Sequence, residues 1–220
     1  NGSDITISGG NVIANGGLCG AGIGGGKGGD GDVTISGNAK IENATGSYGA
    51  AGIGGGAFDS PDKIGNGNVV IKDNAKIDNV QGGTFGAGIG GGVYGFGNVT
   101  IKDNATIGTV TGDAYGAGIG GGYAALGDVT IEGNVTIKNA TVNVDGKAKH
   151  GIQFYCVKGG KLENVNVMGG KFTAVIVNGA EVSINGGNLS TNGYAVVEYA
   201  MGKNVTTVPK LTMNNVTTPN

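Results

Sequence analysis

The chain has 220 residues, of which 51 are Gly and 3 are Pro, and a formal net charge of −2. All 14 cationic side chains are Lys, so there is neither a basic stripe nor an Arg to read phosphates and base edges, and nucleic-acid binding is not expected. No run approaches the roughly 18 apolar residues of a membrane span, so no membrane insertion is expected, while 38% apolar residues suffice for a sizeable core. Glycine at this level would indicate disorder if it came without a period. Here it comes with one.

In chain order, the first signal is half a repeat, Ile5-Thr6-Ile7. The heptapeptide GAGIGGG then occupies residues 20–26, followed by a loop at 27–31 and the stretch DVTISGNAKIEN at 32–43. The second copy places the heptapeptide at 50–56, a longer loop at 57–67 and the stretch at 68–79. The third runs 86–92, 93–97 and 98–109, and the fourth 116–122, 123–127 and 128–139. The central isoleucines Ile23, Ile53, Ile89 and Ile119 are thus 30, 36 and 30 residues apart. Residues 149–155 stand where a fifth heptapeptide falls due, and beyond them short alternating runs continue at 165–167, 172–177, 182–184 and 195–197.

Within each copy the apolar period is two. Val33 and Ile35 share a side that Thr34 does not, and Ala39 and Ile41 repeat this around Lys40. Such alternation, punctuated by Gly-Asn or Asp-Asn, predicts short strands joined by tight turns and almost no helix. A glycine-rich strand is weak alone and needs neighbours above and below it. Identical units supply them if each repeat is one turn of a solenoid, with equivalent strands stacked in parallel roughly 4.8 Å apart. The prediction is an all-β, right-handed, single-stranded parallel β-helix of about seven coils, forming one domain over 1–220. Residues 1–155 would make long glycine-rich coils with loops, and 156–220 shorter ones. The isoleucines would face inward, leaving either an outward glycine face or glycines that serve the corners. Asn38, Asn74, Asn104 and Asn134 would form an amide ladder.

Repeated GAGIGGG followed by Val-Thr-Ile and Asn-Ala-Xaa-Ile resembles the right-handed parallel β-helix repeats of large bacterial surface proteins, described as adhesin-like or carbohydrate-binding. The resemblance is direct over about 1–155. It implies an extracellular, cell-surface or secreted setting and a polysaccharide or host surface glycan as partner. The start at Asn1-Gly2-Ser3 reads as a cut from a longer precursor, so neighbouring domains of a larger protein are expected.

Few residues offer chemistry. Asp73 and Asp103 are equivalent in neighbouring coils, a spacing that would suit paired carboxylates, but Gly37 and Gly133 hold the same position and argue for a turn. His150, the single histidine, falls in the slot of Ala21, Ala87 and Ala117. No catalytic residue is assigned, although a pectate-lyase-like polysaccharide lyase or hydrolase is the alternative, and a purely structural spacer a further one. Asp30 and Asp32, in GGKGGDGD at 25–32, come close to a calcium-binding nonapeptide and are the metal candidates, with structural calcium as the one cofactor considered and Asp59 with Asp62 as a weaker pair. Cys19 and Cys156 fall too many coils apart for a disulfide and are expected to be buried thiols. The positive lead is aromatic: Phe58, Tyr94, Phe96 and Tyr123 lie in the loops after the triple glycine, which should stack into a ridge able to hold sugar rings.

Overall fold

The computed structural model describes residues 2–113, 115–125, 129–131, 136–142, 150–155, 160–168, 173–178, 181–190, 193–199 and 208–218, with no helix among them. The strands are β1 (Ser3–Ile7), β2 (Asn11–Asn15) and β3 (Ile23–Gly24), then β4 (Gly31–Ile35), β5 (Lys40–Thr45) and β6 (Ile53–Gly54). They continue as β7 (Gly67–Ile71), β8 (Lys76–Gln81), β9 (Ile89–Gly90), β10 (Gly97–Ile101), β11 (Thr106–Gly112) and β12 (Ile119–Gly120). Next come β13 (Val129–Ile131), β14 (Thr136–Val142), β15 (His150–Tyr155), β16 (Gly160–Met168), β17 (Thr173–Asn178), β18 (Glu181–Ser190), β19 (Tyr194–Tyr199) and β20 (Lys210–Asn214).

In the first four coils every third strand pairs in parallel with its equivalent, and the stack is a right-handed solenoid. One side stacks β1-β4-β7-β10-β13-β16 and a second stacks β2-β5-β8-β11-β14-β16. The third side is split between a sheet of β3, β6, β9 and β12 and another of β15, β17 and β19. Five turns carry three separate strands each, fewer than the about seven coils predicted. The difference arises because the later turns merge two sides: β16 pairs with β13 through Gly160–Leu162 and with β14 through Asn166 and Val167, and β18 follows β16 along both.

Repetition in sequence becomes files of like residues. Ile7, Ile35, Ile71, Ile101 and Ile131 are in register, as are Ile41, Ile77 and Ile107 on the second side and Ile23, Ile53, Ile89 and Ile119 on the third. Each of the middle turns therefore sends one isoleucine inward from every side. Ile35, Ile41, Ile53, Ile71, Ile77, Ile89, Ile101, Ile107 and Ile119 are all fully buried. Each such side chain contributes about 1.5–3 kcal/mol relative to an exposed one.

The glycine side is built differently. Only the Ile-Gly pair of each heptapeptide is extended, and the Ala N–H two residues before the isoleucine donates to the carbonyl two residues after it. These bonds are Ala21 to Gly25 and Ala51 to Gly55 (both 2.9 Å), Ala87 to Gly91 (3.0 Å) and Ala117 to Gly121 (3.2 Å). The segment is a bow with its isoleucine at the apex inside the core. The outward glycine face considered above is not bare, since residues 52, 54 and 56 and then 86, 88, 90 and 92 are buried. Gly54 shows why no other residue fits. Its φ is 125°, matched by 138°, 133° and 132° at Gly24, Gly90 and Gly120, and a Cβ there would run into the Gly90 carbonyl of the next coil.

Candidate functional site

A tight turn leads into every bow, and a second follows all but the bow at 50–56, where the longer 57–67 loop takes its place. The leading turns close by hydrogen bonds from Gly20 to Gly17, Ala50 to Ser47, Gly86 to Gly83 and Gly116 to Asp113. The trailing turns close from Gly29 to Gly26, Gly95 to Gly92 and Ala125 to Gly122. The third residue of most of these turns is left-handed: Cys19 (φ 60°), Gly49 (76°) and Phe85 (71°) in the leading column, and Gly28 (67°), Tyr94 (60°) and Ala124 (55°) in the trailing one. For ring-bearing Phe85 and Tyr94 that backbone is an outlier, and glycine holds the equivalent position one coil from Phe85, at Gly49, and two coils from Tyr94, at Gly28.

Backbone bonds between coils stitch the two columns together. Ala57, Val93 and Tyr123 N–H groups donate to the carbonyls of Cys19, Gly49 and Phe85 at 2.9, 2.7 and 2.8 Å, and Gly28 and Tyr94 donate to Ala57 and Tyr123 at 2.7 and 3.0 Å. The side chains of both columns therefore emerge on one surface from a fixed scaffold. There they form a chain of ring contacts. Phe58 meets Tyr94 (centroids 5.4 Å apart), Tyr94 meets Tyr123 (5.9 Å) and Tyr123 meets Phe85 (5.4 Å). Phe85 also touches Tyr48 (6.3 Å) and Tyr115 (5.5 Å), and Tyr115 touches Tyr123 (5.4 Å). Phe58 and Phe85 are half-buried, whereas Tyr48, Tyr94, Tyr115 and Tyr123 are exposed. Between the rings lies a cleft of about 380 Å³, walled by Tyr48, Phe58, Phe85, Tyr94 and Tyr123, with Ala57, Val93, Cys19 and Lys27 completing it.

Of the four predicted ligand-binding residues, Phe58, Tyr94 and Tyr123 come together. Phe96 has no ring partner among the described residues; it is exposed, and its N–H donates to Asn66 Oδ1 (3.0 Å). Tyr48, Phe85 and Tyr115 were not predicted to join them. Period-two alternation extended outward from the isoleucines would point Phe85, Tyr115 and Cys19 inward, but that period holds only within a strand, and these residues sit in turns. Their common place, four or five residues before the apex isoleucine, is the signal that marks them. Cys19 is likewise half-buried at the cleft edge rather than a core thiol. Cys156 and the side chain of His150 lie outside the described residues.

The acidic candidates belong to ladders and ion pairs. Asp30 Oδ1 accepts from both the backbone N–H and the side-chain amide of Asn66 (2.8 Å each), and Asp32 Oδ1 accepts from the Asn68 amide (2.6 Å), whose own oxygen accepts from Asn98 (2.9 Å). The two metal candidates thus serve separate ladders. Among the described residues no three of His, Cys, Asp and Glu converge as a metal-binding group. Asp59 holds Lys27 at 2.6 Å and Lys63 at 3.9 Å; the Lys27 hydrogen bond and charge lower the Asp59 pKa and, reciprocally, raise that of Lys27. Asp62 lines a polar cleft of about 410 Å³ with Asp30, Lys27, Lys63 and Asn66.

Asp73 and Asp103 occupy left-handed turns (φ 61° and 64°), as Gly37 does (59°), and their carboxylates accept from the backbone N–H groups of Gly37 (2.9 Å) and Asp73 (3.2 Å) one coil back. The Asn column beside them forms its ladder, Asn74 to Asn38 at 3.5 Å and Asn104 to Asn74 at 3.4 Å. The left-handed residue is the one before each Asn rather than the Asn itself.

Residues 5–27 and 33–57 match the Beta helix repeat family. No curated protein and no solved structure matches the chain. The family match and the parallel stack together make this a β-helix repeat protein.

Proposed function

We propose that the chain is a non-catalytic module of an extracellular surface protein, an adhesin-like stalk that binds polysaccharide through the aromatic cleft. The observation that carries this reading is the placing of Phe85 and Tyr94 at left-handed turn positions that other coils fill with Gly49 and Gly28. Strain of this kind costs on the order of 1–3 kcal/mol at each residue and persists where the surrounding structure imposes it, commonly at ligand sites. Both strained rings belong to one exposed aromatic group, and flat apolar faces with hydroxyls at their rims suit the C–H faces and hydroxyls of sugars.

A glycan array probed with the 220-residue chain tests the proposal. Binding that is lost in Tyr94→Ala/Tyr123→Ala, at unchanged thermal stability, supports it; unchanged binding by that variant rejects the cleft. Assays for new reducing ends and for unsaturated uronate products, run on the same glycans, separate this reading from a lyase or hydrolase. A spacer without a ligand would leave the array blank.

A further inference from the structure

We infer that the aromatic cleft takes a single, unpacked, neutral glycan chain rather than the flat face of a crystalline polysaccharide; this rests on the binding function proposed above. A crystalline face is planar and rewards rings that share a plane. Successive rings here do not. Phe58 and Tyr94 are inclined at 78°, Tyr94 and Tyr123 at 56°, Tyr123 and Phe85 at 53°, and Tyr115 and Tyr123 at 62°. Phe85 and Tyr115 are nearly parallel at 9°, but with centroids 5.5 Å apart they stack on each other. A flat lattice laid over this surface meets one ring at a time.

The tilts are not free to level out. Phe85 and Tyr94 are anchored in left-handed turns, Tyr94 and Tyr123 are bonded through their backbones, and every ring but the terminal Tyr48 and Phe58 packs against at least two others. Inclined rings instead suit the walls of a groove, and the cleft of about 380 Å³ is lined by two inclined pairs, Tyr48 with Phe85 and Phe58 with Tyr94. A chain lying there presents one face to each wall.

Charge narrows the ligand further. Lys27 is the one charged residue in the lining, and its ammonium is held by Asp59 at 2.6 Å. A uronate or sulfate would have to compete with that carboxylate, whereas a neutral chain needs only ring faces and hydroxyl partners.

The test compares three classes of probe on the 220-residue protein: soluble neutral chains (β-glucan, xylan, mannan) in affinity gels, crystalline cellulose and chitin in sedimentation, and polygalacturonate in affinity gels with and without added salt. The expected result is retardation by at least one soluble neutral chain and no sedimentation with the crystalline polymers. Tyr94→Gly, which relieves the backbone strain and so keeps the fold, should weaken the retardation about tenfold. Sedimentation with a crystalline polymer without retardation by soluble chains would overturn this inference and leave the binding function standing. Salt-sensitive preference for polygalacturonate that disappears in Lys27→Ala would overturn its neutrality. Failure with all three classes would overturn the binding function itself.

Discussion

The third side of the solenoid is made in two ways, and the contrast explains where the site lies. In the first four coils it is a glycine bow with a two-residue strand, and in the later ones a six-residue strand, β15, β17 or β19. The six-residue form packs by side chains: Val175 and Val177 are fully buried and pair in register with Ile152 and Phe154 on one flank and Val196 and Glu198 on the other. The bow packs by backbone, with glycines of adjacent coils in contact and a single isoleucine reaching the core. A shortened strand leaves room for two turns per coil, and those turns carry the aromatic rings. All ring contacts of the described residues are made among Tyr48, Phe58, Phe85, Tyr94, Tyr115 and Tyr123, within the bow-bearing coils. The glycine heptapeptide is thus the device that launches the site, without itself being the binding surface.

The sharpest way to break this contrast is to exchange the two kinds of packing. Gly54→Val adds side-chain volume exactly where a Cβ meets the Gly90 carbonyl and imposes a φ of 125° on a β-branched residue. It should cost more than about 3 kcal/mol in urea unfolding. Val175→Ala, which removes buried volume from the six-residue form, should cost about 2 kcal/mol. If the glycine substitution proved the milder of the two, backbone packing would not be what holds the bow-bearing coils.

Much of this was legible in the sequence, because repetition forces equivalent residues into register. Once Ile23, Ile53, Ile89 and Ile119 were seen to recur, a common core file followed, and alternation around Thr34 and Lys40 placed Val33, Ile35, Ala39 and Ile41 inside it. What alternation could not give was the form of the heptapeptide. Its inward and outward parity is right at Ile53, yet the Ala51 to Gly55 bond folds the segment on itself, so parity fails a few residues away at Phe85 and Tyr115. Parity therefore conceals Phe85 and Tyr115, while position after the triple glycine marks Phe58, Tyr94 and Tyr123. The merging of two sides in β16 and β18 was hidden for the same reason that the early coils were clear: beyond the last heptapeptide no repeated marker fixes the corners.

A milder test concerns the corner opposite the site. Gly37, Asp73 and Asp103 share a left-handed turn, and the Asp forms add a cap to a backbone N–H one coil back. Asp73→Gly gives up that cap but relieves the φ of 61°, so it should stay within about 1 kcal/mol of the parent, whereas Asp73→Val should cost about 1–3 kcal/mol. Equal costs for the two would mean that backbone conformation is not what selects Asp and Gly here, and the corner would then depend on its carboxylate.

The smallest effect belongs to the polar face of β5 and β8, where Lys40 and Lys76 stack in register and would repel without the acids beside them. Lys40 contacts Glu42 (3.0 Å) and Asp78 (3.2 Å), and Lys76 contacts Asp78 (3.3 Å). Burial pushes the Asp78 carboxyl up, but hydrogen bonds and charge from Lys40 and Lys76 outweigh it and hold the group below its ordinary value of 3.8. The bonds to Glu42 and Asp78 hold Lys40 above its ordinary 10.5. A lowered acid contributes stability that is complete above its unfolded pKa and is lost as pH falls through the folded one; a raised lysine contributes below its unfolded pKa and is lost as pH rises through its folded one. Thermal unfolding followed from about pH 6 to pH 2 should therefore show an acid-side decline that Asp78→Asn makes shallower, and added salt should shrink the difference between the two proteins. An Asp78→Asn profile parallel to the parent's over that range would show that the stacked lysines are tolerated by solvent alone.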